Sequence, residues 1–322
     1  MLARLLLIAL CARAALPASN WYKTAPKGAK IPLPDLPVST LNPATAYLKI
    51  RARIPAIDAR FFPAARPSLA TLSAASCGVR RLAPGAFSPL PNLLALSLHD
   101  NKIHSVESGV FNTLARLREL SLHRNRIRYV ESEAFDNMTG LVTVRLNSNF
   151  LIYWDGNWFK NTPNLVQAFF RRNSIRSLPS AAFANLSNDS VKIYLSKNSI
   201  ASVEESALRG LRSLSQLWLD RNEIGDLHEK LLGDVETMEV LFLAKNALSG
   251  FPDRLLENLR VDLVTLDLSD NDNLSCLSYG AVVKAKMTHL KGIRRLDCAC
   301  VANLRRMLAA NGENNEINSD CP

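Results

Sequence analysis

The chain has 322 residues, of which 48% are hydrophobic, and it carries a formal net charge of +10. This length and composition allow either two ordinary domains or one extended repeat structure. After the first 20 residues no stretch has the roughly 20 apolar residues that a membrane-spanning helix needs, so we expect no membrane span.

The first residues, MLARLLLIALCARAALPASN, have the pattern of a secretory signal peptide. Arg4 precedes an apolar core, and Ala12-Arg13-Ala14 forms a small-residue cleavage site. A membrane anchor is disfavoured because Arg13 interrupts the apolar run. The chain ends in NSDCP without the hydrophobic tail of a lipid-anchor signal. We therefore predict a signal peptide at residues 1–14 and a secreted, extracellular product.

Residues 15–68 are rich in proline and contain no cysteine. Within YLKIRARIPAIDARFF, apolar residues recur at Leu48, Ile50, Ile54, Ile57 and Phe62. Their spacing is a loosened form of the one that follows in the chain. We predict an extended arm that leads into a degenerate capping repeat.

Residues 69–271 repeat with a period of 24 or 25 residues. Around Asn101, apolar residues stand eight, five and three places before the asparagine and two, five, ten and thirteen places after it. One such segment cannot bury its own apolar edge, so the copies must pack on one another. The nine equivalent positions, called anchors below, are Cys77, Asn101, Asn125, Asn149, Asn173, Asn198, Asn222, Asn246 and Asn271.

This pattern, L-x-x-L-x-L-x-x-N-x-L-x-x-L-x-x-x-x-F-x-x-L, resembles the extracellular leucine-rich repeat of Toll-type receptors and many secreted recognition proteins. The resemblance implies an α/β solenoid: a leucine-rich repeat horseshoe of about nine repeats with a curved parallel β-sheet on its concave face. The alternation x-L-x-L-x agrees, since it gives one short strand per repeat with inward leucines. In this family the asparagine amide satisfies backbone groups in the turn after the strand. Cys77, another small buried polar residue, can stand in for it.

Residues 272–322 contain CACVANLRRML, which resembles the cysteine cap that closes extracellular leucine-rich repeat arrays. We predict a degenerate last repeat and a short helix in this segment. The helix should bury Leu304 and Leu308 and expose Asn303, Arg305 and Arg306.

Cleavage of the signal peptide removes Cys11 and leaves five cysteines. Cys298 and Cys300 are too close to pair comfortably with each other. Two arrangements of cap disulfides therefore remain open: 276–298 with 300–321, or 276–300 with 298–321. The unpaired Cys77 is expected to be a buried reduced thiol, and a covalent link to a partner is the alternative. The predicted disulfide cysteines are Cys276, Cys298, Cys300 and Cys321.

Four N-x-S/T triplets predict glycan acceptors, and the first two occupy the same place in their repeats. They begin at Asn137, Asn185, Asn188 and Asn273.

We predict no catalytic residues, no metal site and no cofactor. The chain has no G-x-S-x-G, no H-E-x-x-H, no phosphate-binding glycine loop and only five histidines. His99 and His123 occupy equivalent outward positions on adjacent strands, about 5 Å apart, close enough to share a metal. Because no third ligand is obvious among their neighbours, a solvated surface pair is the favoured interpretation.

The outward face of the sheet is the predicted binding surface. Four consecutive repeats carry an aromatic residue four places before the anchor, and basic residues predominate one place before it. Cross-strand packing alone could explain the rings, but exposed aromatic patches usually mark interaction surfaces. The predicted ligand-binding residues are Phe169, Tyr194, Trp218, Phe242, Arg171, Arg172, Lys192, Lys197, Arg221 and Lys245.

Two tryptophans, Trp154 and Trp158, replace smaller residues of the repeat in FLIYWDGNWF. We interpret them as part of the core on the convex side, with a second contact site as the alternative.

The expected function is non-catalytic recognition in innate immunity or cell adhesion. The chain resembles the secreted leucine-rich immune proteins of insects, which join a signal peptide, such repeats and a cysteine-bearing cap. Loss of Arg4 and Arg13 from the 39 basic residues leaves 37 against 29 acidic ones, or +8. This charge favours an anionic partner. Because a secreted glycoprotein meets extracellular proteins, anionic glycans and microbial polymers more often than nucleic acid, we expect one of the former. A matrix structural protein and a regulatory or inhibitory subunit of a secreted enzyme are the alternatives, and a hetero- or homo-oligomer stays open.

Overall fold

The computed structural model describes residues 46–62, 64–186 and 190–322. The predicted signal peptide, the predicted arm up to residue 45 and the predicted glycan acceptor Asn188 lie outside the described residues.

A parallel sheet of twelve strands runs through the described chain. Consecutive repeats pair at equivalent positions, so Leu72, Leu96, Leu120 and Val144 stand side by side. This arrangement confirms the predicted solenoid with one strand per turn. In chain-order numbering, which also counts the six shorter strands given below, its strands are β1 (Tyr47–Lys49), β3 (Thr71–Ser73), β5 (Ala95–Ser97), β7 (Glu119–Ser121), β9 (Thr143–Arg145), β10 (Gln167–Phe169), β12 (Val191–Tyr194), β14 (Leu214–Trp218), β15 (Val240–Phe242), β16 (Leu263–Asp267), β17 (Ala285–Leu290) and β18 (Glu316–Ser319).

Alternation along each strand separates the core from the binding face. In β5 and the residues after it, Leu96 and Leu98 are buried, while Ser97 and His99, which alternate with them, stay partly exposed. Burial of each leucine stabilises the stack by about 1.5–3 kcal/mol. We call the outward-pointing side of the twelve-stranded sheet the concave face.

The opposite side of the solenoid is built from short strands and stacked phenylalanines. Phe87 and Phe111 lie 5.7 Å apart between ring centroids, Phe111 and Phe135 lie 6.1 Å apart, and Phe135 and Phe159 lie 5.4 Å apart. The column continues the core across the repeats. The elements on this side are β2 (Ala56–Ile57), β4 (Arg81–Leu82), β6 (Ser105–Val106), β8 (Tyr129–Val130), β11 (Ser177–Leu178), β13 (Ser202–Val203) and a 3-10 helix at Gly156–Phe159.

Both tryptophans of the unusual repeat belong to this core. Trp154 is 5% exposed and Trp158 is fully buried. Their indole N–H groups donate to the carbonyl oxygens of Ala182 and Val130, at 2.7 and 3.1 Å. Their burial confirms the interpretation of these residues as core. The two hydrogen bonds supply the partner that a buried indole N–H needs.

The anchor asparagines form a buried hydrogen-bond ladder. The Asn125 amide donates to the carbonyl oxygens of Leu122 at 2.9 Å and Leu98 at 3.0 Å, so it joins its own repeat to the preceding one. Its Oδ1 accepts from the N–H of Ile103 at 3.1 Å. The ladder therefore satisfies the backbone of each turn inside the stack.

Cys77 occupies the first rung of this ladder. Its thiol donates to the carbonyl oxygens of Ile50 at 3.3 Å and Ala75 at 3.4 Å. Pro55 lies 22 residues before Cys77, as Ile103 lies 22 residues before Asn125, and proline has no N–H to offer an amide oxygen. A side chain that only donates therefore suits this rung. Cys77 is free and buried, and burial raises its pKa to about 11.

The predicted degenerate repeat before residue 69 adds a complete turn. Its apolar residues are buried, from Leu48 at 6% exposure to Ile54 and Ile57 at 0%. Strand β1 pairs with β3 in the register of the main array. The first regular repeat is thereby covered.

At the other end, two short helices and the last two strands close the stack. Helix α1 spans Tyr279–Val283 and helix α2 spans Cys298–Ala310. Asp297 caps α2 by accepting from the Ala299 N–H at 2.9 Å. Disulfides join Cys276 to Cys300 and Cys298 to Cys321, which is the second of the two pairings left open by the sequence.

The helix α2 buries Leu304 and Leu308, but Arg305 is not exposed as predicted. Its guanidinium donates to the carbonyl oxygens of Pro322 at 2.6 Å and Ile317 at 3.3 Å. Arg305 therefore ties the C-terminal strand to the helix. Strand β18, which the sequence did not predict, supplies Ile317, and Pro322 follows it in the chain.

Candidate functional site

Four aromatic residues form a continuous row on the concave face. Phe169, Tyr194, Trp218 and Phe242 pair in register at the ends of β10, β12, β14 and β15. Their ring centroids are separated by 4.4, 5.7 and 4.2 Å along the row. Each residue is also partly exposed, so the rings reach solvent although they pack on one another. We call these four residues the aromatic row.

Polar groups fix the edges of the two central rings. Gln216 Oε1 accepts from the Tyr194 hydroxyl and from the Trp218 indole N–H, both at 3.2 Å. Burial raises the pKa of Tyr194. The guanidinium of Arg145 lies 5.2 Å from the Phe169 ring centroid, a cation–π contact at one end of the row. Neither Gln216 nor Arg145 was among the predicted site residues, because strand alternation says nothing about where a long side chain ends.

Basic residues flank the row one place before each anchor. Arg172, Lys197, Arg221 and Lys245 all have φ between 57° and 59°, in the left-handed region. An L-residue pays roughly 1–2 kcal/mol for that conformation. Backbone hydrogen bonds hold it, such as Arg172 N–H to Ser196 O at 3.0 Å and Lys197 N–H to Asp220 O at 2.9 Å.

The positive charge of this flank is concentrated at one end. Arg221 lies 3.9 Å from Asp220, and Lys245 lies 3.2 Å from Asp270. Within the described part of the chain, no carboxylate lies within ion-pair distance of Arg171, Arg172 or Lys197.

The neighbouring cations affect the pKa of Lys197. Its pKa is lowered chiefly by Arg221, then by desolvation and by Arg172 and Arg171. Lys192 lies within β12, paired with Gln216 and two residues before Tyr194 of the aromatic row. The structure thus brings all ten predicted ligand-binding residues to one region of the concave face.

The two histidines also lie on the concave face. The rings of His99 and His123 are near-parallel, with centroids 4.6 Å apart, in agreement with the spacing expected from adjacent strands. Burial, followed by the neighbouring His99, lowers the pKa of His123 to about 4.

The expectation that no third ligand lies near the histidine pair is wrong. Asp100 Oδ2 is 2.8 Å from His99 Nδ1. Asp100 has a φ of 55°, and this turn brings its carboxylate back toward the ring of the residue before it. The sequence places Asp100 directly after His99 but gives no measure of that backbone turn.

The described glycan acceptors differ in accessibility. Asn137 and Asn273 are exposed. Asn185 is half-buried, and its amide donates to the Gly156 carbonyl oxygen at 2.9 Å. Glycosylation of Asn137 and Asn273 is therefore better supported than glycosylation of Asn185, and all four sites stay predictions.

The parallel solenoid, the inward leucines and the asparagine ladder together define a leucine-rich repeat structure. The family model described as leucine rich repeat matches residues 67–127, 91–151 and 171–224. The chain therefore contains leucine-rich repeats and has the fold of a leucine-rich repeat solenoid. No curated protein matches it by sequence.

Two solved structures illustrate the likeness. A chain in the structure of the Toll–Spatzle complex, described as a hub in Drosophila development and innate immunity, has a TM-score of 0.59 and 22% identity. That alignment covers 78% of this chain and 36% of that one, so this chain spans about a third of it. A chain of an octameric complex of Latrophilin 3, Unc5D and FLRT2, in which FLRT2 contributes leucine-rich repeats, has a TM-score of 0.60 and 17% identity. It is covered to 84%, and this chain to 78%. At these identities the likeness establishes the fold.

Among the described residues, every helix falls short of the length and apolarity that a bilayer crossing requires.

Proposed function

We propose that this protein is a secreted, non-catalytic recognition protein that binds an acidic extracellular protein or a polyanionic ligand through its concave face. The observation that carries the proposal is the aromatic row with its basic flank. Four partly exposed rings on four consecutive strands form a large contact surface at the centre of the sheet. Surfaces of this composition are where binding energy concentrates.

The row is already ordered before any ligand arrives. The rings support one another, and Gln216 holds the polar edges of Tyr194 and Trp218. A ligand therefore has little side-chain entropy to remove, which is a principal cost of association. Packing alone needs no such surface, since the four preceding repeats hold serine or arginine at the equivalent position and form the same sheet.

The basic flank supports an acidic ligand. Arg172 and Lys197 occupy left-handed turn positions where asparagine or glycine would be less strained. The neighbouring cations repel one another, as the lowered pKa of Lys197 indicates. A carboxylate- or sulfate-bearing ligand would relieve that repulsion and would be steered toward the row.

The two cap disulfides support an extracellular location, because such bonds persist in oxidising compartments. Among the similar folds, the Toll–Spatzle complex is a hub in innate immunity, and FLRT2 takes part in an assembly of several proteins. By analogy with these folds, we propose a role in innate immunity or cell adhesion.

The proposal can be tested with three matched baits: the wild-type protein, the Tyr194→Ala/Trp218→Ala variant and a Phe150→Ala control. Phe150 is an aromatic residue that is 50% exposed and lies outside the row. Each bait is incubated with the extracellular fluid of its source, and bound proteins and glycans are quantified. We expect an acidic ligand on the wild type and the control, with at least tenfold less on the double variant.

Equal retention of every ligand by all three baits, with each variant folded, would reduce the aromatic row to sheet packing. The identity of the ligand also separates the alternatives. A matrix polymer would favour a structural role, and a secreted enzyme would favour a regulatory subunit.

A further inference from the structure

A second cluster on the concave face has the chemistry of a metal site. His99 and His123 stand at equivalent positions of adjacent repeats, two residues after β5 and β7. One ring nitrogen of each histidine and a carboxylate oxygen of Asp100 all lie within 4.8 Å of one another. Imidazole nitrogen and carboxylate oxygen are ligands that bind zinc and related divalent ions.

Hydrogen bonds already orient both rings. The Nδ1 atom of His99 pairs with Asp100 Oδ2 at 2.8 Å, and Nδ1 of His123 pairs with the Ser121 hydroxyl at 2.7 Å. Among the described residues, neither Nε2 has a hydrogen-bond partner. The Ser121 contact can set the tautomer and direction of His123 as a metal ligand. The His99–Asp100 contact joins two of the three candidate ligands, so a metal ion would replace the proton between them.

We propose that His99, Asp100 and His123 bind a divalent transition-metal ion, with Zn²⁺ as the reference ion. With metal–ligand distances of about 2.0–2.2 Å, the three ligand atoms need to lie roughly 3.3 Å apart. Side-chain rotation would have to widen the 2.8 Å contact between His99 and Asp100 and shorten the longer separations, which are all within 4.8 Å, to reach that value. His99 and Asp100 have side chains that are 31% and 35% exposed, so they have room to rotate.

The mixed nitrogen and oxygen donors favour Zn²⁺ over Ca²⁺ or Mg²⁺, which prefer oxygen ligands alone. Three protein ligands leave at least one coordination position open toward the solvent on the concave face. That position would take water or a donor atom of a bound molecule. The site therefore differs from a closed structural zinc site.

The surrounding charges are nearly balanced. Arg124 Nη1 lies 3.8 Å from Asp100 Oδ1, and Arg145 Nη1 lies 3.8 Å from Glu119 Oε2. The two cations oppose a metal ion, while the two carboxylates favour it. Removal of the Arg124 charge should therefore tighten metal binding, a response that nonspecific binding elsewhere would not show.

The site is one strand away from the aromatic row. Strand β9, with Arg145, lies between β7 and β10, which puts the two sites about 10 Å apart across the sheet. Metal binding can nevertheless be measured without the proposed ligand.

The test is calorimetric titration of Zn²⁺ into the whole secreted protein after removal of any purification tag. We expect one ion per chain with a Kd of about 1 µM. His99→Gln, Asp100→Asn and His123→Gln should each weaken binding at least tenfold. The Arg124→Gln variant should bind more tightly, and His104→Gln, which alters an exposed histidine of the neighbouring turn, should bind as the wild type does.

Cu²⁺ supplies a second readout, since its electron paramagnetic resonance spectrum shows hyperfine splitting from coordinated imidazole nitrogens. Two nitrogens are expected in the wild type and one in His99→Gln. Circular dichroism checks that each variant is folded. The proposal is overturned if the wild type takes up no Zn²⁺ at about 100 times the expected Kd. It is equally overturned if a folded His99→Gln/His123→Gln variant binds as tightly as the wild type.

Discussion

Replacement of one anchor asparagine measures how the ladder holds neighbouring repeats together. Asn125 is 6% exposed and makes three good hydrogen bonds. Each of the two carbonyl oxygens that it contacts most closely has a second partner. Leu98 O also accepts from Asn101, and Leu122 O also accepts from Asn149. Asn125→Ala therefore leaves only one buried group, the N–H of Ile103, without a partner.

The free-energy cost follows from this geometry. An orphaned buried N–H costs about 1–3 kcal/mol, and each of the two shared amide contacts contributes about 0.5–1.5 kcal/mol net. We expect Asn125→Ala to lower the free energy of unfolding by about 3 kcal/mol. Asn125→Cys should cost less, because the thiol of Cys77 bonds the backbone from the same position.

Urea denaturation followed by circular dichroism provides the measurement. Asn164→Ala is the matched control, since Asn164 is exposed and donates one bond, to Thr139 O at 2.7 Å. It should cost under about 1 kcal/mol. If Asn125→Ala costs no more than Asn164→Ala, the ladder is not what holds adjacent repeats, and the inward leucines alone set the stability.

The free energy of unfolding should fall as the pH drops from about 6.5 toward 4. In that range the unfolded chain protonates His123, while burial lowers the pKa of His123 in the folded protein to about 4. Thermal unfolding of His123→Gln should lack the loss of stability that His123 causes. Cys77 should resist alkylation in the native protein and react fully in urea, since its pKa is raised to about 11; a rapid native reaction would show that the first rung is open. With the ligand identified, Trp218→Ala should cost binding about 2 kcal/mol or more. Arg172→Glu/Lys197→Glu should mainly slow association, most strongly at low salt. Surface plasmon resonance measures association and dissociation rates separately, and an unchanged association rate would refute electrostatic steering.

The sequence determines the repeat fold because the same constraint recurs in every turn. Inward leucines must stack, so Leu96 and Leu120 fall side by side without any long-range information. The aromatic row follows by the same logic, since four equivalent outward positions on paired strands must be neighbours. Periodicity therefore predicts which residues share a face.

Periodicity does not predict contacts that depend on a single backbone turn or on the reach of a long side chain. Asp100 meets His99 at a turn where the φ of Asp100 is positive. Gln216 reaches two rings from a strand position that the repeat leaves variable. Arg305 was predicted to be exposed because the helical pattern alone cannot show that β18 folds back beside it.

The one register irregularity among the described strand pairs of the main sheet falls beside the aromatic row. Val191 pairs with Leu214 and Lys192 with Gln216, so β14 bulges by one residue at Ser215. Bulges increase local twist and re-aim side chains. Before the bulge, the Phe169 and Tyr194 rings lie 4° from parallel. After it, Trp218 is tilted by 37° from Tyr194 and by 48° from Phe242. A parallel stack presents mainly ring edges, whereas a tilted ring turns part of its face toward a ligand. The bulge thus makes Trp218 the expected central anchor, at the point where the sheet departs from its own repeat.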